Sequence, residues 1–106
     1  MLPYDEHTPT YDLQQVQWLV GQGPLSRLIT SAARLGARDC GFTATADIVD
    51  AVLALSTANF YKTMEAARCP GLWQDVYHSS FRGVNLYIKL QIGLEGSAVV
   101  VQFKER

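Results

Sequence analysis

A chain of 106 residues, 48% of them hydrophobic and 18% charged, is long enough to bury a core as one domain without disulfide bonds or metals. The formal net charge of −1 excludes a protein that attracts nucleic acid through a basic field over its whole surface, so any anion site must be local. The first twenty residues contain early acidic residues and no uninterrupted apolar stretch, so we expect no secretory signal there, and no later apolar run approaches the roughly 18 residues of a membrane span. We expect one cytoplasmic domain over residues 1–106, with a flexible N-terminus at residues 1–8.

The first half of the chain predicts three helices, because apolar residues recur there at helical spacing. The first begins behind Thr10 or Asp12 as cap and ends at the glycines that follow. The second spans about residues 26–38 with Ser26 as its cap, and the third spans residues 44–55.

After the third helix the pattern changes to near alternation of apolar and polar residues, rich in β-branched and aromatic types. Four segments have this character, and prolines and glycines bound them: NFYKTMEA, GLWQDVYHSSF, VNLYIKLQIGL and SAVVVQFKE. Helices followed by strands predict an α+β fold, in which the helices pack on one face of an antiparallel sheet of at least four strands.

The last two segments predict a β-hairpin with Glu95 and Gly96 as its loop. In that register Tyr87 lies opposite Lys104 on the solvent face, with Lys89 farther along the same strand. The other face is apolar and should point to the helices: Ile88 lies opposite Phe103, Leu90 opposite Val101 and Ile92 opposite Val99.

Lys62 and Gln74, on the neighbouring predicted strands, would extend the polar face of the hairpin. Two lysines, a tyrosine and a glutamine on one sheet face are suited to hold a phosphate ester, although solvated strand residues are the plainer interpretation. The Tyr87 phenol would act as base or acid only if Lys104 lowered its pKa from near 10. His78 has the natural pKa for that task, but the pattern favours a surface histidine at a strand end.

The residues that bind metals in proteins are few and scattered in this sequence. Cys40 and Cys69 are far apart, form no CxxC pair, and show no ligand spacing with His7 or His78. We therefore predict reduced, structural cysteines, no metal site and no cofactor.

Four segments carry a resemblance to a known family: TPTYDLQQVQWLVGQG, LSTANFYKTME, LWQDVYHSSFRGVNLYIKLQI and VVVQFKER. They resemble the MqsR toxins, the motility quorum-sensing regulator family of type II toxin–antitoxin systems, from about Thr8 to the C-terminus. The resemblance implies a RelE-like fold and a metal-independent endoribonuclease that cuts mRNA at GC-containing sites of the GCU or GCA type and so blocks translation. It also implies a cognate MqsA-like antitoxin, a zinc- and DNA-binding protein through which alone the toxin would reach operator DNA.

The family's proposed catalytic residues fall on four positions of this chain: Lys62 of FYK, Gln74 of WQDVY, Tyr87 of YIK and Lys104 of FKE. We predict that Lys89, His78 and Arg82 contact the RNA. The chain departs from the family in its slightly acidic charge, and in His78, where members can carry arginine. A non-catalytic domain that binds RNA or protein with the same sheet face is the alternative, and we expect the antitoxin to pair with an edge strand.

Overall fold

The computed structural model describes residues 5–106. Its helices and strands follow in chain order: α1 Leu13–Gln22, β1 Arg27–Ile29, α2 Ser31–Asp39, α3 Thr45–Leu53, a 3-10 turn Thr57–Asn59, β2 Phe60–Glu65, β3 Trp73–Phe81, β4 Val84–Ile92 and β5 Ala98–Glu105. The strands form one sheet in the order β1-β5-β4-β3-β2, with β1 parallel to β5 and the other neighbours antiparallel. The predicted α+β fold is confirmed. In the described part of the chain, no helix has the length and apolar character to span a membrane.

The first and third helices form where the apolar spacing predicts them. Asp12 caps α1, because its carboxylate accepts a hydrogen bond from the backbone N–H of Gln14 at 3.1 Å. The apolar stripes of α1 and α3 enter the core between the helices and the sheet, and they comprise Leu13, Val16, Val20, Ile48, Ala51 and Val52. One face of the sheet is thereby covered, and we call the other the open face.

The second helix starts later than the sequence pattern predicts. The pattern gives residues 26–38 with Ser26 as cap, whereas α2 spans Ser31–Asp39. Residues Arg27–Ile29 form β1 instead, which pairs in parallel with β5. The apolar residues of this stretch fit a helix and a strand equally well, so a partner strand some 70 residues away decides between them.

Thr30 fixes where α2 begins and where it sits. Its side-chain oxygen accepts a hydrogen bond from the N–H of Ala33 at 3.0 Å, and its hydroxyl donates to the carbonyl of Val101 at 2.7 Å. Farther along the helix, a β-carbon at Gly36 would overlap the carbonyl oxygen of Phe103. The absence of a side chain therefore lets α2 lie directly on β5.

The C-terminal hairpin has the predicted register only at the end away from its loop. Tyr87 pairs with Lys104 and Ile88 with Phe103, as predicted. Beyond Lys89 the register shifts by one residue, and Leu90 pairs with Val100. The loop comprises residues 93–97, closed by a hydrogen bond from the N–H of Gly93 to the carbonyl of Ser97 at 2.8 Å, and is longer than the predicted Glu95-Gly96 turn.

This β-bulge exchanges the faces of β5 on the loop side of Val101. Ala98 and Val100 enter the core, whereas Val99 and Val101 line a groove on the open face. Our prediction that Val99 and Val101 face the helices is therefore wrong, because a shift of one residue turns every following side chain to the other face. The core positions predicted on the rest of the hairpin are confirmed: Ile88, Leu90, Ile92 and Phe103.

A buried carboxylate holds the N-terminal segment against the sheet. Asp75 is 1% exposed, and its two oxygens accept hydrogen bonds from the N–H groups of Thr10 and Tyr11 at 3.0 and 2.9 Å. The carbonyl of Glu6 accepts another from the N–H of Thr63 on β2 at 2.8 Å. Of the flexible N-terminus predicted for residues 1–8, positions 1–4 lie outside the described residues.

Candidate active site

The open face of the sheet carries all three lysines of the chain, Lys62, Lys89 and Lys104. In the strand register Lys62 lies opposite Val76, and Val76 lies opposite Lys89. Two strand spacings separate the backbones of these two lysines, which is about 10 Å. Val76 between them is completely buried, although it does not belong to the cluster of apolar residues between the helices and the sheet, so neighbouring side chains on the open face cover it. We call Lys62, Lys89 and Lys104 the lysine cluster.

The ammonium groups of the lysine cluster repel one another. Burial, and then the positive charges of Lys104 and Lys62, lower the pKa of Lys89 below its ordinary value. Within residues 5–106 no carboxylate forms an ion pair with any of the three. Positive charge that is partly desolvated and not neutralised by the protein is the electrostatic requirement for binding an anion.

Three aromatic side chains form a row beside the lysine cluster. The rings of Tyr61 and His78 stack with centroids 4.1 Å apart and an interplanar angle of 17°, and the Tyr87 ring lies 5.8 Å from that of His78. The Nζ atom of Lys104 is 4.9 Å from the centre of the Tyr87 ring. We call Tyr61, His78 and Tyr87 the aromatic row; the row meets the lysine cluster where Tyr87 contacts Lys104.

Sequence reasoning missed Tyr61, and a second β-bulge explains why. Strict alternation along FYK would place Tyr61 and Lys62 on opposite faces of the sheet. In the structure Phe60 pairs with Tyr77 and Lys62 with Val76, so Tyr61 is an extra residue between two paired positions. The bulge brings both Tyr61 and Lys62 to the open face.

Tyr87 keeps its proton more firmly than a phenol in water does. Burial raises the pKa of its phenol above the ordinary value, and the nearby Tyr61 hydroxyl contributes in the same direction. The condition set for Tyr87 as a base, a pKa lowered by Lys104, is therefore not met. At neutral pH the phenol is a hydrogen-bond and proton donor.

His78, in contrast to Tyr87, gives up its proton more readily than the free side chain does. Burial, and then the charge of Arg106, lower the pKa of its imidazole below the ordinary value of 6.5. The sequence pattern favours a histidine at a strand end, but His78 lies inside β3, and its ring has Tyr61 and Tyr87 on either side of it. At neutral pH it is uncharged, and one ring nitrogen is free of a proton and can accept one.

Gln74 lies on the same strand as Val76, two residues away, which is about 7 Å along β3. Its side-chain Nε2 donates a hydrogen bond to Oε1 of Gln91 on β4 at 2.9 Å. Both amides line a groove on the open face, which begins where the lysine cluster ends. The structure thus places Gln74 beside the cluster but outside the aromatic row.

Arg82, which we predict as an RNA contact, lies away from these groups. It occupies the turn between β3 and β4 with a positive φ of 51°. Its guanidinium forms ion pairs with Asp47 at 2.8 Å and with Asp50 at 3.0 Å, both on α3. Because its charge is directed to the helix side of the sheet, the structure does not bring Arg82 into the lysine cluster.

The cysteines and the metal-binding residue types form no grouped site in the described part of the chain. Cys40 and Cys69 are free thiols, as predicted. The Cys40 thiol donates to the carbonyl of Gly36 at 3.3 Å within the last turn of α2, and Cys69 is exposed. Among residues 5–106, no three His, Cys, Asp or Glu side chains are close enough to hold a metal ion together.

Comparison with known proteins covers nearly the whole chain. The family model described as "Motility quorum-sensing regulator, toxin of MqsA" matches residues 8–105. The mRNA interferase toxin MqsR of Escherichia coli (strain K12) is 29% identical over 102 residues, which are 96% of this chain and 99% of that protein. The family match includes the lysine cluster, the aromatic row and both bulges. The chain therefore belongs to the motility quorum-sensing regulator family, the toxins of MqsA.

Proposed function

We propose that this protein is the toxin of a type II toxin–antitoxin system and acts as an endoribonuclease on mRNA. One observation carries the proposal: a chain with a net charge of −1 concentrates its three lysines on one sheet face. Such a face matches the charge of a phosphodiester, and the aromatic row beside it can stack on unpaired bases. The family, and the name of the related mRNA interferase, support the same activity.

The chemistry that suits this site uses the RNA's own 2′-hydroxyl as nucleophile. The 2′ oxygen attacks the adjacent phosphorus, the bond to the 5′ oxygen of the next nucleotide breaks, and the products are a 2′,3′-cyclic phosphate and a 5′-hydroxyl. The enzyme must accept the 2′ proton, stabilise the charge on the non-bridging oxygens, and supply a proton to the leaving oxygen. No step requires a metal ion, so we propose metal-independent cleavage.

The lysines suit the second of these tasks. Lys62 and Lys89 are half-buried and Lys104 is exposed, so the cluster spans the boundary between the sheet and solvent. An ammonium group in a partly desolvated site interacts with developing negative charge far more strongly than one in bulk water. We assign to Lys62 and Lys104 the stabilisation of negative charge on the scissile phosphate. We assign to Lys89 the binding of the RNA backbone beside it.

The protonation states of the aromatic row suit the two proton transfers. The imidazole of His78, neutral because burial lowers its pKa, is a base for the 2′ proton. The phenol of Tyr87, protonated because burial raises its pKa, is a donor to the phosphate or the leaving oxygen. Gln74 cannot transfer protons and would orient the substrate. In this assignment His78, which the sequence pattern favours as a surface histidine, is the proton acceptor.

The cleavage site, the cellular location and the antitoxin are proposed from membership of the family. We propose cleavage at GC-containing sites of the GCU or GCA type, in the cytoplasm where mRNA is translated. An MqsA-like antitoxin would restrain the toxin, and operator DNA would be reached only through that antitoxin. We expect the antitoxin to add to an exposed edge strand of the sheet. A complex in which the antitoxin fills the space above Lys62 and Tyr87 would contradict edge pairing.

The test of the proposed function compares the wild-type protein with Lys62→Ala on a defined RNA in the presence of EDTA. We expect the wild type to cleave and to leave cyclic phosphate and 5′-hydroxyl ends, and the variant to cleave about a hundredfold more slowly. RNA binding without cleavage would establish the alternative, a non-catalytic binding domain. Loss of wild-type cleavage in chelator would contradict the metal-independent mechanism.

A further inference from the structure

A groove adjoins the lysine cluster on the open face of the sheet. Its volume is about 600 Å³, within the range of sites that hold small molecules. The β2–β3 connection forms one wall and the β4–β5 loop forms the other. Apolar side chains line much of it: Leu28, Leu72, Leu94, Val99 and Val101. The bulge at Val101 creates this lining, because it turns two valines out of the core.

The groove also has polar lining residues: Arg68, Cys69, Glu95 and Thr30 lie around it, and a pair of amides lies on its sheet side. Nε2 of Gln74 donates to Oε1 of Gln91, and among residues 5–106 the side-chain Oε1 of Gln74 and Nε2 of Gln91 have no hydrogen-bond partner. One acceptor and one donor are thus presented side by side. The hydrogen bond between the two amides also restricts their rotation, so that the pattern is fixed before a ligand arrives.

An adjacent donor and acceptor are what the edge of a nucleobase offers to a protein. Proteins read unpaired RNA bases by hydrogen bonds to such edges and by apolar or aromatic contact with the base faces. The amide pair lies about 7 Å along β3 from Val76, the residue between Lys62 and Lys89. That distance is close to one nucleotide step of an extended strand, so a phosphate on the lysines would bring a neighbouring base to the amides.

We propose that the groove is a nucleobase subsite of the RNA-cleaving site, and that Gln91, held by Gln74, determines which base is accepted next to the scissile phosphate. The proposal rests on the proposed function and adds to it a residue that sets sequence selectivity. Its occupant is one unpaired base of single-stranded RNA, with its edge on the amide pair and its faces against the apolar lining.

The test uses Gln91→Leu, which removes the amide and retains a side chain of similar size. A matched control, Gln15→Leu, makes the same change at an exposed position of α1, outside the groove. Each protein cleaves an RNA pool of randomised sequence, and the ends are sequenced. We expect Gln91→Leu to cleave the pool, but the ratio of cleavage at the preferred base to cleavage at the other bases should fall about tenfold or more at one position. Gln15→Leu should keep the wild-type profile. Unchanged base preferences in Gln91→Leu would overturn the proposal.

A second variant separates recognition from folding. Gln91→Glu can still accept the hydrogen bond from Gln74, but it presents an acceptor where the wild type presents a donor. We expect its preferred base to change, whereas Gln91→Leu loses preference. A profile identical to that of the wild type in a folded Gln91→Glu protein would overturn the proposal as well.

Binding measurements distinguish this proposal from the proposed function. Short single-stranded oligonucleotides with 2′-deoxyribose cannot be cleaved by 2′-hydroxyl attack, and their affinities report base preference without chemistry. The wild type could fail to cleave RNA and still bind oligonucleotides with one base more tightly than the others. If Gln91→Leu abolishes that difference in affinity, the nucleobase subsite is supported and the nuclease activity is contradicted. If Gln91→Leu changes only the affinity for an antitoxin, the groove is a protein-docking surface and the proposal is wrong.

Discussion

Replacing Lys104 by alanine tests whether the lysine cluster is catalytic, because the change should hardly affect folding. Lys104 is exposed and forms no ion pair within residues 5–106, and its Nζ lies 4.9 Å from the centre of the Tyr87 ring. A cation–π contact at an exposed site contributes about 0.5–1 kcal/mol. Loss of the repulsion from Lys89 partly offsets that cost. We expect the melting temperature to fall by no more than about 8 °C.

The effect of Lys104→Ala on cleavage should be much larger. A lost charge contact to the transition state costs on the order of a hundredfold in rate, or about 2.7 kcal/mol, which exceeds the whole contribution of the residue to stability. The assay is single-turnover cleavage of a defined RNA in EDTA at saturating enzyme, with thermal melting followed by circular dichroism. Arg38→Ala is the matched control, since it removes an exposed cation from the last turn of α2, far from the open face.

Coupling with Tyr87 provides a second measure of the same contact. Tyr87→Phe removes the hydroxyl and retains the ring that lies beneath the Lys104 ammonium. If the two residues act on one phosphate, the double variant should lose less activity than the product of the single losses. Cleavage by Lys104→Ala at near the wild-type rate, with unchanged melting, would show that the lysine only solubilises the strand.

Three further predictions concern the proton acceptor, the thiols and the packing of α2. Because burial lowers the pKa of His78 below its ordinary value of 6.5, cleavage should be retained at neutral pH and should fall in acid below pH 6.5, as the imidazole gains a proton. His78→Gln should be slow throughout and lack this acid limb, and a retained limb in rate against pH would contradict the assignment. Replacing Cys40 and Cys69 together by serine should leave cleavage in EDTA within a few-fold of wild type, and its abolition would implicate a thiol. Gly36→Ala should lower the free energy of unfolding by about 1–3 kcal/mol in denaturant titration, because α2 must move off β5, and an unchanged value would contradict the close contact with Phe103.

The sequence predicts local structure well in this protein and misses features that depend on a distant partner. Asp12 identifies the start of α1 because a cap acts within one turn of its own helix. Residues Arg27–Ile29 carry no such signal, since only pairing with β5 makes them a strand. The three-residue length of β1 also leaves too few positions for an alternating pattern to emerge.

The candidate site was predictable in its residue types but not in its full membership. Alternation brings Tyr87, Lys89 and Lys104 to one face without any knowledge of tertiary structure. Both bulges break that alternation: one adds Tyr61 to the open face, and the other opens the groove beside Gln91. A bulge is an extra residue in one strand relative to its neighbour, so it cannot be located until the paired strands are known.

The gathering of every lysine on the open face also decides how this protein responds to amine-directed reagents. Apart from the α-amino group, the ε-amines of Lys62, Lys89 and Lys104 are the amines that a succinimidyl ester, an aldehyde crosslinker or an activated resin can modify. Lys89 should react early, because its lowered pKa leaves more of it in the nucleophilic, uncharged form. Labelling or immobilising the toxin through amines would therefore modify its candidate active site. A cysteine introduced on an exposed position of α1 would leave that site untouched once the exposed Cys69, which lines the groove, has been replaced by serine.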